Sequence, residues 1–355
     1  MIECDALVIG AGPVGLFQVF QLGLQDIRAH MVDSLPVPGG QCIELYADKP
    51  IYDIPAVQVC TGRELIDRLL QQVAPFAPQF HLAQTVSQLA PRPDGRFDLE
   101  TRQGTRFVAR CIFIAGGVGA FEARALKVEG VDRHLGTQLF YGVPEATVLA
   151  GRQVLVVGGE DAAVNAALQL ADSPHGRPAG IALLHRRETL TAESGALARF
   201  QALRHAGAVQ FEVGQILAID ELPGAASDAE PRLAGVQIIG DDSVTRHLPV
   251  DALLVFLGLS PKLGPIAQWG LAMERRQLAV DTARFETSTP GIFAAGDVVS
   301  YPGKKKLILS GFHEATLAAF AAAAHLRPGH PVLLQYTTTS PRLHQLLGVG
   351  TPGRD

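Results

Sequence analysis

Cysteine is scarce in this 355-residue chain, and so is every pattern that gives cysteine its chemistry. The four residues, Cys4, Cys42, Cys60 and Cys111, are scattered, with no C-x-x-C pair and no metal-ligand spacing. That excludes a dithiol redox motif and a cysteine metal site, and implies reduced, mostly buried thiols. Charge is thin as well. Only 18% of residues are charged, the net charge is -5 and the pI is near 6.1, so no broad basic face offers itself to nucleic acid. Long apolar runs are missing: the longest helix-like one, Ala315 to Leu326, is too short and too alanine-rich to span a bilayer. The chain opens directly on a strand pattern, with no basic segment and apolar stretch of the kind that marks export, which implies a soluble, cytoplasmic protein. What is present, a 47% hydrophobic composition over this length, is that of a globular protein with two domains.

The organising stretch is Leu7-Val8-Ile9-Gly10-Ala11-Gly12-Pro13-Val14-Gly15, an apolar strand running into G-x-G-x-x-G. Gly10 permits a tight turn, Gly12 lets the backbone approach a pyrophosphate, and Gly15 lets the next helix sit close on the sheet with its N-terminus toward the anion. A helical apolar face follows (Leu16, Phe17, Val19, Phe20, Leu22), then a strand ending at Asp33, where such βαβ units hydrogen-bond a ribose hydroxyl. Beyond a turn-rich loop at Pro38-Gly39-Gly40-Gln41 come a helix through Leu65 to Val73, a strand near Phe80 and a hairpin from Phe97 to Val108 turning at Gln103-Gly104. A separate buried strand, Cys111 to Ala115, stops at Gly116-Gly117.

The same order begins again at Gln153 to Val157 with Gly158-Gly159-Glu160-Asp161-Ala162-Ala163. A small-residue helix, the strand Ile181 to Leu184 ending in His185-Arg186-Arg187, a helix from Leu197 to Leu203, a strand near Phe211, a hairpin turning at Gly240 to Ser243 and the strand Ala252 to Phe256 complete it. The segment Gly291 to Asp297 is a last apolar strand that returns to the first sheet, which makes the second domain an insertion. The expected fold is therefore α/β: two Rossmann-like dinucleotide-binding domains, the first formed by residues 1–122 and 285–355, the second by 123–284, with Pro223 to Ala234 a surface loop.

The two domains differ where a ribose would lie. Asp33 suits a free hydroxyl, so the first domain reads as binding FAD or NAD; Arg186 and Arg187 supply guanidinium forks for a 2′-phosphate, so the second reads as binding NADP(H). Glu160 stands where the middle glycine of the second loop belongs. A side chain there crowds a pyrophosphate and adds a like charge unless the loop turns it to solvent, and weakened nicotinamide-nucleotide binding is the expected consequence.

Over nearly its whole length the chain resembles the two-dinucleotide-domain flavoproteins, and among them the ferredoxin-NADP reductases of the thioredoxin-reductase-like type. The residues that carry the resemblance are Gly39-Gly40-Gln41 with Tyr46 and Tyr52-Asp53, the segment Ala294 to Asp297, Ser310 to Ala315, and Tyr336-Thr337-Thr338-Thr339. Thioredoxin reductase itself needs a C-x-x-C just before the second glycine loop, and residues 138–145 hold no cysteine.

The resemblance implies an FAD site made by Gly10, Gly12, Pro13, Val14, Gly15, Asp33, Gln41, Tyr46, Val86, Phe121, Asp297, Tyr336 and Thr338. Gln41 and Asp297 would bond the ribityl-phosphate region, Tyr46 would stack on one face of the isoalloxazine, and Tyr336 in the tail (residues 327–355) would cover the other, from the partner of a homodimer. It implies an NADPH site made by Gly158, Gly159, Asp161, Ala162, His185, Arg186 and Arg187, with Thr191 where the family carries a further arginine. No metal and no acid-base residue are implied, because the flavin carries the chemistry. A helix beginning near His313-Glu314-Ala315 would aim its positive end at the flavin. Ferredoxin or flavodoxin is the implied partner, docking on Lys304-Lys305-Lys306. Two other functions fit the same fold: an NAD(P)H-dependent flavoprotein oxidoreductase with another acceptor, and a non-catalytic flavoprotein redox sensor.

Overall fold

The computed structural model describes residues 1–173, 176–223, 231–332 and 336–349, with the backbone alone at 120–122 and 259–262. The chain divides into two compact units: Met1–Ala120 together with Pro261–Asp355, and Phe121–Ser260.

The first unit begins with β1 (Ile2–Ile9), α1 (Pro13–Leu24), β2 (Ala29–Val32), the short α2 (Gln41–Glu44), α3 (Gly62–Val73), β3 (Gln79–His81), β4 (Val86–Pro91), β5 (Phe97–Thr101) and β6 (Arg106–Ile114). β1 lies between β2 and β6, parallel to both, and Ala6 through Ile9 are buried without interruption, as in strands covered on both faces. Ala6, Val8, Met31, Cys111 and Phe113 meet Leu16 of α1 and Leu65 of α3 on one face; Leu7, Ile9, Val32 and Ile112 meet Val86, Phe97 and Leu99 on the other. Pro13 starts α1, where its missing N–H is no loss, and a Thr61–Glu64 capping box starts α3.

β6 is one strand, not a hairpin arm followed by a separate strand. Arg110, which interrupts the apolar run, points outward and donates to Asp5 and to the Leu326 carbonyl, each at 3.0 Å, so the pairing continues past it.

The second unit contains β7 (Leu139–Phe140), β8 (Gln153–Val157), α4 (Asp161–Asp172), β9 (Gly180–His185), α5 (Ser194–His205), β10 (Gln210–Val213), β11 (Gln215–Leu222), β12 (Arg232–Ile239), β13 (Thr245–Pro249) and β14 (Ala252–Val255). Its parallel sheet runs β7-β14-β8-β9-β10, and β11-β12-β13 form an antiparallel sheet. Most of the loop expected between Pro223 and Ala234 lies outside the described residues.

The return to the first unit comes at Pro261, earlier than residue 285. Ile266, Leu271 and Leu278 share a core with Leu7, Ile9 and Ile112, and Gln277 donates to the carbonyls of Asp297 and Val299. Those apolar residues are too widely and irregularly spaced to register as strand or helix in the sequence. β15 (Ile292–Ala294) then pairs parallel to the second half of β6. α6 (Ile308–Leu326) starts five residues before His313. Ser310 and Gly311 are already helical, and a side chain at 311 would lie 2.4 Å from Val14, so glycine there lets α6 close on α1. The last element among the described residues is α7 (Pro341–Leu347), capped by Ser340 and held by the buried Leu343 and by Arg342 at 2.6 Å from Asp26.

Candidate functional site

In the first unit, the loops after β1, β2, β6 and β15 gather at the carboxyl ends of parallel strands, where open α/β sheets bind ligands. Gly10 has φ +108°, and a Cβ on it would meet the Ala115 carbonyl oxygen at 2.4 Å; one on Gly15 would meet the Gly10 carbonyl at 1.9 Å. Gly12 is different. It is the N-cap of α1, and an added Cβ would find nothing closer than Gly40 Cα at 3.9 Å. The fold does not need glycine at 12, so the space beside the helix N-terminus is what a pyrophosphate would fill.

Asp33 is buried just past β2. Its carboxylate accepts the Ala11 N–H at 2.5 Å and the Leu35 N–H at 2.8 Å, so it braces the glycine loop. Burial pushes this carboxyl above its ordinary value, and the two N–H donors oppose that shift. Gly39 N–H binds the Ala11 carbonyl at 2.9 Å, which ties the Gly39-Gly40-Gln41 loop to the cradle. Gln41 Nε2 lies 3.1 Å from where a Gly117 Cβ would be, so α2 and the end of β6 meet there. Tyr46 is half-buried, accepts from Cys42 Sγ at 3.5 Å, and lies near the carboxylates of Asp53 and Asp297; burial, then these neighbours, pushes its phenol up. Gly12, Gln41, Tyr46 and Asp297 are thus gathered at one end of the sheet.

Other residues of the FAD list are placed differently. The Val86 side chain is in the core, so only its backbone is free to meet a ligand. The Phe121 side chain lies outside the described residues. Tyr336 and Thr338 are on the surface, Tyr336 at 68% exposure, and α7 is anchored near Asp26 beyond the far end of α1, about 18 Å of helix from Gly12.

A buried network here escapes sequence reasoning. Glu314 is completely buried; its carboxylate accepts the Gly296 N–H at 2.6 Å, the Tyr301 hydroxyl at 2.7 Å and the Lys304 ammonium. Lys304 is itself only 7% exposed, so it is not part of a free lysine patch; its charge is needed inside, and Lys305 and Lys306 alone are exposed. The available signal was helical spacing: Glu314 falls in the stripe Gly311, Ala315, Ala318, Ala322 that faces the core.

The second unit repeats the cradle. Gly158 has φ +153°, and its Cβ would meet the Phe256 carbonyl at 2.5 Å, as Gly10 would meet Ala115. Glu160 is the N-cap of α4 with extended backbone, the station Gly12 holds on α1; its side chain is exposed and, among the described residues, has no hydrogen-bond partner. Thr191 N–H binds the Gly159 carbonyl at 2.7 Å, and Asp161 accepts the Glu193 N–H at 2.8 Å, which pins loop and helix to the segment after β9. His185 leaves no room for a side chain at Gly159, within 2.4 Å; its burial, then Arg186 and Arg187, lowers its pKa, with the Glu160 carboxylate opposing. Arg186 and Arg187 are exposed and form no ion pair among the described residues.

All four cysteines are free, and among the described residues no cluster of His, Cys, Asp and Glu could hold a metal ion and no helix is long and apolar enough to cross a membrane. Residues 4–323 match the model of the pyridine nucleotide-disulphide oxidoreductase family. The chain is 55% identical over 351 residues to a ferredoxin–NADP reductase of Methylibium petroleiphilum, covering 99% of this chain and 94% of that protein. It is 56% identical over 355 residues to one of Paracidovorax citrulli, covering 99% of each. Among solved structures it is similar in fold to the bacillithiol disulfide reductase of Staphylococcus aureus, with a TM-score of 0.59 at 18% identity over 92% of this chain and all of that one.

Proposed function

The chain belongs to the pyridine nucleotide-disulphide oxidoreductase family, and from that premise we propose that it is a ferredoxin–NADP reductase, passing electrons between NADPH and ferredoxin through FAD. The observation that carries the reading is one cradle built twice with different ribose ends: Asp33 bracing the first, two unpaired arginines beside the second. FAD, when bound, accepts a hydride from the nicotinamide and releases electrons singly, which is what couples a two-electron donor to an iron-sulfur carrier.

The chain's own residues bind and orient. The α1 N-terminus and the Gly12 backbone would hold the FAD pyrophosphate, Asp33 the adenosine ribose, Gln41 and Asp297 the polar chain leading to the flavin, and Tyr46 the flavin ring. In the second unit Arg186 and Arg187 would hold the 2′-phosphate, and they lower the pKa of His185 beside them. No cysteine lies in the second unit, so a one-electron carrier, rather than a disulfide, is the acceptor that fits. Lys305 and Lys306 are the exposed cations offered to an acidic ferredoxin. The surface position of Tyr336 supports a homodimer in which the tail covers the partner's flavin. Four free thiols, three of them buried, suit the reducing cytoplasm.

The test is cytochrome reduction with and without added ferredoxin, using NADPH or NADH. Ferredoxin dependence with NADPH preferred is the expected result, and Arg186→Ala should lose the preference. Ferredoxin-independent turnover would point to another acceptor.

A further inference from the structure

The two cradles share their backbone hydrogen bonds, and where they differ the N-cap position stands out. Gly10 N–H binds the Val32 carbonyl at 2.8 Å and Gly158 N–H the Leu184 carbonyl at 3.0 Å; Leu16 N–H binds the Gly12 carbonyl at 3.0 Å and Val164 N–H the Glu160 carbonyl at 3.2 Å. The backbones of Gly12 (φ -71°, ψ -178°) and Glu160 (φ -107°, ψ 178°) are both extended, each capping a helix of 12 residues. Where the first cradle is bare, the second carries an ionisable carboxylate.

We propose that Glu160 is a built-in competitor for the pyrophosphate seat of the second unit. Resting on the reading of that unit as the nicotinamide-dinucleotide domain, the assignment follows from the station Glu160 holds. Its exposed side chain stands at the N-terminus of α4, makes no hydrogen bond or ion pair among the described residues, and acts electrostatically on His185, while the loop is fixed from both sides by Thr191 and Asp161. A carboxylate at a helix N-terminus is favoured by the helix dipole, as a phosphate is, so the two anions contend for one place.

The penalty falls on NADPH and NADH alike, because both carry the pyrophosphate. It leaves the ratio of their affinities unchanged but lowers both, so that only the ligand with a 2′-phosphate for the arginines still fills the site at a given concentration. Selectivity in use then depends on the repulsive element as well as the attractive one.

The experiment measures dissociation constants of NADP+, NAD+ and adenosine 2′-phosphate on the FAD-bound protein, for the wild type, Glu160→Gly, Glu160→Gln and Arg186→Ala. Glu160→Gly, which installs the residue that Gly12 shows the cradle accommodates, should tighten NADP+ and NAD+ by a common factor of roughly tenfold at low ionic strength, the size of one like charge near a surface, with the gain shrinking as salt rises. Adenosine 2′-phosphate, which has no pyrophosphate, should be unaffected. Glu160→Gln keeps the bulk and removes the charge, and should recover much of the gain. Unchanged or weaker NADP+ binding in both variants, or an equal gain for adenosine 2′-phosphate, overturns the proposal. If Arg186→Ala binds NADP+ and adenosine 2′-phosphate as the wild type does, the assignment of the second unit fails instead, and the proposal with it.

Discussion

Lys304→Met should damage the protein far more than a surface lysine would. Glu314 is completely buried and Lys304 is 7% exposed, so the substitution strands a carboxylate in the interior with only the Gly296 N–H and the Tyr301 hydroxyl to hold it. Removing one partner of a buried pair costs about 3–5 kcal/mol, against a total stability of about 5–15 kcal/mol for a typical domain. The loss also reaches the ligand site, because Glu314 fixes the N–H of Gly296, the residue before Asp297. Adding Glu314→Gln removes the stranded charge; its amide oxygen can accept from the Gly296 N–H while its NH2 donates to the Tyr301 hydroxyl, so the double variant should return to within about 1–2 kcal/mol of wild type. Urea unfolding of the apoprotein, with FAD affinity measured in parallel, reads both effects. A single variant that loses less than about 1 kcal/mol, or a double variant no better than the single, would refute a structural ion pair at this place.

Gly12→Glu should fold, because no protein atom opposes a Cβ there, yet release FAD on purification; Gly10→Ala, strained at φ +108° and 2.4 Å from the Ala115 carbonyl, should fail to accumulate. His30 and His81 share a 3.0 Å nitrogen-nitrogen hydrogen bond, and burial lowers the pKa of both. Their folded values lie below the unfolded one, so the unfolded state binds more protons and stability should fall as pH drops through and below about 6.5; His81→Phe should flatten that slope in urea titrations across this range. Lys305→Glu with Lys306→Glu should weaken the dependence of ferredoxin reduction on ionic strength while leaving NADPH oxidation by a small dye unchanged; an unaltered salt dependence places docking elsewhere.

The cradles were legible because each needs a particular residue type at a fixed spacing beside an apolar strand. Gly10, Gly15 and Gly158 stand where a side chain would strike a carbonyl or a neighbouring turn, and that demand is visible in one chain without a structure. The strands around them were equally plain, since the parallel sheets are apolar on both faces. What stayed hidden depended on contacts distant in sequence. Lys304 reads as solvated among lysines until Glu314, ten residues on, is seen to need it. The α6 start was misplaced because Gly311, a poor helix former by itself, sits inside the helix where it packs against Val14. The stretch carrying Ile266, Leu271 and Leu278 has no periodicity of its own, and only the sheet it covers gives those residues a common face. Glu160 was visible as an anomaly, and the structure adds that its side chain is exposed and that its backbone has the extended conformation of Gly12.

The central claim is that one chain takes a hydride from NADPH onto FAD and hands electrons on to ferredoxin. Anaerobic titration of the purified holoprotein with NADPH, followed by oxidised ferredoxin, tests it in one cuvette through the flavin absorbance. NADPH should bleach the flavin, and ferredoxin should then restore its colour. A flavin that NADPH leaves oxidised, or one that stays bleached when ferredoxin is added, would contradict the account.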